Sequence, residues 1–87
     1  MKWKMIYTKQ AQKDAHKLKQ AGLKDKALDL LKILQSNPLQ TPPPFEILVG
    51  DLSGAYSRRI NIQHRIIYQI YKERKTIKIV RMWTHYE

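Results

Sequence analysis

Along this chain the spacing of apolar residues switches between two periods. Over residues 3–7, Trp3, Met5 and Tyr7 alternate with Lys4 and Ile6, the two-residue repeat of a short strand. Thr8 follows as a helix N-cap, its hydroxyl able to accept from backbone amides of the next turn. Residues 9–21 then carry Ala11, Ala15 and Leu18 at helical spacing, with lysines over the remainder, and Gly22 is a stop. In residues 23–35 the stripe Ala27, Leu30, Leu31 and Leu34, led in by Leu23, predicts a second amphipathic helix. Asn37-Pro38 ends it, because proline disfavours helical geometry in the residue before it.

Beyond that point the period is two. Residues 39–44 (LQTPPP) form a stiff extended connector. Such a segment can serve as a ligand for proline-binding domains, but it suits a linker inside one domain better. A strand is expected over 45–49, with Gly50-Asp51 and Ser53-Gly54 marking the turn out of it. Residues 52–70 read as two strands meeting at a polar turn near Asn61. Alternation sends Tyr56, Arg58 and Ile60 to one face and Ser57, Arg59 and Asn61 to the other. In the second strand His64, Ile66, Tyr68 and Ile70 share a side, opposite Arg65, Ile67, Gln69 and Tyr71. A hairpin tip at 72–75, a last strand over 76–83 and a short tail at 84–87 complete the chain. The order predicts a single α+β domain over residues 1–87: an N-terminal strand, then two helices packed on one face of a mainly antiparallel sheet, whose other face stays open to a ligand.

Composition narrows the partners. The chain has 87 residues, room for one modest core, and no cysteine for a disulfide or thiolate metal site. His16, His64 and His85 fall into no zinc-ligand spacing, so no cofactor is expected. Apolar runs are too short to cross a membrane and no signal-peptide pattern opens the chain, which points to the cytoplasm and away from a membrane partner. The net charge of +10 draws polyanions: nucleic acid first, an acidic protein next, an anionic membrane surface last. Its distribution is uneven. Every basic residue before Pro42 is a lysine, and all five arginines follow Ser57. A diffuse lysine halo attracts, whereas planar guanidinium groups held on strands grip phosphate oxygens in pairs. The helix pair is not a DNA-reading unit, since its second helix offers Asp25, Asp29 and leucines where polar base-reading side chains would be needed.

Seven residues of the second half are neither evident core nor plain solvated charge: Glu46, Arg58, Arg59, His64, Arg65, His85 and Tyr86. Glu46 is a lone carboxylate among Phe45, Ile47, Leu48 and Val49. Partial burial would raise its pKa and a neighbouring arginine would lower it, leaving a base usable near neutrality, or merely a strand salt bridge. A carboxylate, a histidine and several arginines suffice for RNA cleavage without a metal. The base takes the ribose 2′-hydroxyl proton, that oxygen attacks the adjacent phosphate, arginines stabilise the developing charge, and an acid protonates the departing 5′-oxygen. The same residues would equally make a non-catalytic basic RNA- or ribosome-binding surface.

The run FEILVGDLSGAYSRRINIQHRIIYQI followed by a terminal HYE resembles the YoeB/Txe branch of the RelE-type bacterial toxins, which carry a G-x-W/Y-S-R-R-I block, an H-R-[LIV]-x-Y block and a C-terminal His-Tyr. The likeness extends over nearly the whole chain, with the diagnostic residues in its second half. It implies a RelE-like fold and a ribosome-dependent endoribonuclease, an mRNA interferase cutting mRNA in the ribosomal A site. It also implies a cognate acidic antitoxin whose disordered segment folds on binding, and it is compatible with a toxin dimer, stoichiometry being left open. Carried over by motif, Glu46 is the general base, Arg65 binds the scissile phosphate and His85 is the general acid. Tyr86 orients substrate and Arg59 is a supporting phosphate contact; Arg58, next to it in the S-R-R block, is a further candidate for binding substrate. A related branch that poisons a DNA topoisomerase lacks the base and acid pair present here. Two departures stand out. Glu87 follows the usual terminal tyrosine and would raise the pKa of His85. Trp83 occupies a position where relatives carry arginine, to stack on a nucleotide or to pack, with Arg81 two residues earlier.

Overall fold

The computed structural model describes residues 2–41, 44–48, 54–61 and 64–85, with the backbone alone for residues 83–85. Strand β1 (Lys4–Tyr7) leads through Thr8 into α1 (Lys9–Gln20). Thr8 Oγ1 accepts from the Ala11 amide at 3.0 Å and donates to the Val80 carbonyl at 2.8 Å, so the cap of the helix also ties it to the last strand. Gly22, at φ +75°, makes the left-handed step between α1 and α2 (Lys24–Ser36), a conformation that costs glycine little. Asn37 leaves α2 in extended geometry at φ −158°, as the residue ahead of Pro38 must.

The remaining elements are β2 (Glu46–Ile47), β3 (Tyr56–Arg59), β4 (His64–Tyr71) and β5 (Thr76–His85). They form one sheet in the order β1-β5-β4-β3-β2, with β1 parallel to β5 and every other pairing antiparallel. Both helices supply one side of the core. Ala11 and Leu18 of α1 and Ala27, Leu30 and Leu34 of α2 meet Ile66, Tyr68, Ile77 and Ile79 of the central strands. The α+β plan read from the sequence is the observed one. The alternation along β3 and β4 holds as well: Tyr56 is paired with Tyr68 and Arg58 with Ile66 on the helix side, and Ser57 with Ile67 and Arg59 with Arg65 on the far side.

Four details differ from the expectations. The expected strand at 45–49 is reduced to Glu46–Ile47, with Val49 and the turn residues Gly50, Asp51 and Ser53 outside the described residues. The last strand runs to His85 rather than ending at 83, because β4 begins at His64 and leaves backbone partners for residues 84–85. The far side of the sheet is not bare, for Ser57, Arg65 and Ile67 are buried there. The stripe of α1 includes a carboxylate, since Asp14 is fully buried while Ala15 is exposed.

Asp14 is there because β5 is irregular. Its register against β4 slips between the Tyr68–Ile79 and Ile67–Arg81 pairs, and again before the Arg65–Thr84 pair. A bulge of this kind leaves backbone groups without ladder partners. Asp14 Oδ2 accepts from the Met82 amide at 3.1 Å and from Arg81 Nε at 2.9 Å, and Gln10 donates to Oδ1 at 2.9 Å. Burial pushes this carboxyl up, but those donors together hold it below the ordinary value.

Candidate functional site

The far side of the β2–β3–β4 corner carries a cleft of about 180 Å³ lined by Pro44, Phe45, Glu46, Ser57, Arg59 and Arg65. Strand register assembles it. Glu46 stands opposite Ser57, and Arg59 opposite Arg65, so four polar side chains from three strands converge on one surface. Glu46 Oε2 accepts from Arg65 Nη1 at 2.9 Å. The pair is asymmetric: the Arg65 side chain is 6% exposed and that of Glu46 57%. The arginine is therefore anchored in the sheet with its end group presented, while the carboxylate reaches in from an edge strand. Arg59 is exposed beside them. A largely buried arginine whose end group reaches the cleft, a second, exposed arginine and a solvent-reachable carboxylate at one spot can bind a phosphodiester and accept a proton next to it.

Arg58 lies elsewhere. Of the two arginines in the S-R-R block, it is the one turned toward the helices, and it is 1% exposed. Its Nε donates to the Tyr68 hydroxyl at 2.9 Å, its Nη2 donates to the Pro38 carbonyl at 3.0 Å, and its guanidinium sits 5.0 Å from the Phe45 ring centroid. Tyr68 also donates to the Pro38 carbonyl, at 3.1 Å. The expectation that Arg58 contacts substrate is thus corrected: strand alternation separates it from Arg59, and it fastens the connector after α2 to the sheet. Because Phe45 lies against Arg58 and immediately precedes Glu46, this interior network sets where the carboxylate enters the cleft. Phe45 packs edge-on to Tyr56, and Tyr56 stacks on Tyr68, each at 5.6 Å between centroids.

His64 is buried; its amide donates to Asn61 Oδ1 at 2.8 Å and its carbonyl accepts from the Ile60 amide at 2.8 Å. His85 closes β5 opposite His64, and Thr84 stands opposite Arg65, so the end of β5 runs alongside the strand that bears Arg65. The side chains of Trp83 and His85 and all of Tyr86 and Glu87 lie outside the described residues. The lysines of α1 and α2 are exposed, as a diffuse attractor requires, and no described helix is long and apolar enough to cross a membrane. Sequence reading passed over Ser57 and Phe45 as parts of the cleft. The signal for Ser57 was its alternation with Arg59; nothing in the sequence alone set Phe45 against Arg58.

The sequence profile of the YoeB-like toxins of bacterial type II toxin-antitoxin systems matches residues 7–86. The fold is similar to a YoeB/ParE toxin from Agrobacterium tumefaciens, at TM-score 0.84 and 26% identity over 95% of this chain and 99% of that one. It is likewise similar to YoeB from Staphylococcus aureus, at 31% identity over 99% of this chain and 100% of that one. That protein was solved as a YoeB-YefM heterotetramer (TM-score 0.80) and as a dimer (TM-score 0.81). No curated protein sequence matches at a significant level. With a profile match across almost the entire length, and with Ser57, Arg59 and Arg65 of the S-R-R and H-R blocks lining one cleft, the chain belongs to the YoeB-like toxins of bacterial type II toxin-antitoxin systems.

Proposed function

We propose that this protein is a ribosome-dependent endoribonuclease that cleaves mRNA in the ribosomal A site by attack of the ribose 2′-hydroxyl. The observation that carries the reading is the 2.9 Å contact between Glu46 and Arg65, with Arg59 lining the same cleft. Arg65 and Arg59 take the non-bridging oxygens of the scissile phosphate. Arg65 turns from the carboxylate to the phosphate, and Glu46, freed of its partner, accepts the 2′-hydroxyl proton. The 2′-oxygen bonds to phosphorus as the 5′-oxygen leaves, and His85 supplies the proton to that oxygen, with Tyr86 orienting the nucleotide. The nucleophile belongs to the substrate, so DNA is inert. The ribosome supplies substrate geometry, which makes free RNA a poor substrate.

The partner is an acidic antitoxin that covers a surface carrying a net charge of +10. The YoeB-YefM complex of the Staphylococcus aureus relative supports such a pairing, and its toxin dimer supports self-association as a second assembly. Primer extension on mRNA translated in vitro, with and without the purified protein, tests the whole reading. Cuts in A-site register are expected with the wild type and absent with Glu46→Gln or His85→Gln. Ribosome binding that persists with no cleavage by the wild type would leave a passive binding module.

A further inference from the structure

Ser57 is the one polar residue of the cleft that the mechanism above leaves idle. It is 2% exposed, stands opposite Glu46 in the β2–β3 pairing, and lines the cleft with Arg59 and Arg65. Its Oγ is buried with no hydrogen-bond partner among the described residues. A buried hydroxyl in that condition costs free energy, and folded proteins keep few of them. Alanine would fill nearly the same space without the cost. A serine here is explained if a second state uses the hydroxyl.

The mechanism creates that state. At rest, Glu46 accepts from Arg65. Once Arg65 turns to a phosphate, the carboxylate needs another donor, and its cross-strand neighbour is within side-chain reach. We propose that Ser57 is a positioning residue for Glu46, its hydroxyl donating to the carboxylate when Arg65 engages the phosphate. This inference rests on the ribonuclease reading. The new bond holds one carboxylate oxygen so that the other faces the 2′-hydroxyl, and it favours the ionised form that a base requires. Among the described residues the charged groups lining the cleft with Glu46 are Arg59 and Arg65. On this reading the acid limb of the pH–rate profile is the limb that reports on the proposed base.

The test is single-turnover cleavage of ribosome-bound mRNA by wild type, Ser57→Ala and Glu46→Gln across pH, with thermal unfolding of each protein. Ser57→Ala should cut about tenfold more slowly, the effect of one lost hydrogen bond. Its acid limb should move to higher pH, and its melting temperature should equal or exceed that of the wild type, because no resting-state bond is removed. A purely structural serine would do the reverse, lowering the melting temperature and leaving the pH profile in place. Wild-type rate and profile in Ser57→Ala, with Glu46→Gln inactive, would overturn this inference and leave the nuclease reading standing. Full activity in Glu46→Gln would overturn both.

Discussion

Arg58 and Arg59 are adjacent in the chain and lie on opposite faces of the same strand, the first 1% exposed against Tyr68 and Phe45, the second exposed on the cleft. Two residues of identical chemistry thus have separate tasks, and their variants should separate cleanly. Removing Arg58 strips partners from the Tyr68 hydroxyl and the Pro38 carbonyl inside the protein. Arg58→Ala should cost about 3 kcal/mol of stability, as expected for breaking a buried charged network. That should lower the melting temperature by more than about 10 °C in a domain of this size. Arg59→Ala should melt like the wild type and cleave more slowly. Chemical denaturation and single-turnover cleavage on both variants check this, and equal melting temperatures would refute the assignment of Arg58 to the interior.

The Glu46–Arg65 contact, though short, is half in solvent on the carboxylate side. Pairs with an exposed member contribute little to folding. Glu46→Gln should change unfolding free energy by less than about 1 kcal/mol while removing cleavage. A denaturation midpoint shifted by much more would mean that Glu46 serves the fold, and inactivity of the variant would then say nothing about a base.

Much of this arrangement was legible in the residue pattern because strand alternation is a short-range rule. Once residues 56–59 and 64–70 are strands, Arg58 and Arg59 must take opposite faces, and Arg59 and Arg65 can share one, which the register of the hairpin then fixes. The helices were equally readable from Thr8, Gly22 and Pro38, each of which acts on its own neighbours. What alternation could not supply was the content of the space on each side. Arg58 looked like a substrate contact because an arginine is rarely the filling of a core, and its partner, the carbonyl of Pro38, lies 20 residues away in the chain. The slips in β5 were hidden for the same reason: nothing within residues 76–85 announces them, and the carboxylate that accommodates them is on α1.

That carboxylate gives a pH prediction. Asp14 titrates below its unfolded value in the folded protein, because the hydrogen bonds from Arg81, Gln10 and the Met82 amide outweigh the upward push of burial. A depressed carboxyl stabilises the fold above its unfolded pKa of about 3.9 and loses that contribution as pH falls through it toward the folded value. Urea unfolding at a series of pH values should show stability declining from roughly pH 5 downward, and a shallower decline in Asp14→Asn. The substitution should also cost about 2 kcal/mol at neutral pH, since a neutral amide answers Arg81 and the Met82 amide less well. Identical acid limbs in the two proteins would show that Asp14 does not govern the slope.

Tyr68 makes the complementary case at high pH. Burial raises its phenol above the usual value, and the nearby Arg58 guanidinium offsets only part of that rise. A group whose folded pKa is raised contributes stability below its unfolded pKa of about 10 and loses it as pH climbs through the folded value. Tyr68→Phe removes this dependence along with the hydroxyl that accepts from Arg58 and donates to the Pro38 carbonyl. Near neutrality the variant should be less stable by about 1–2 kcal/mol, the worth of hydrogen bonds to a buried charged partner. Above pH 10 or so, its stability should fall more gradually than that of the wild type. Because the hydroxyl helps hold the connector that delivers Glu46, cleavage by Tyr68→Phe should slow as well, without the shift in the acid limb expected of Ser57→Ala. Alkaline unfolding followed by tyrosinate absorbance, alongside cleavage, decides it, and a wild-type alkaline limb in the variant would place the titrating phenol elsewhere, with Tyr7, also raised by burial, as the next to test.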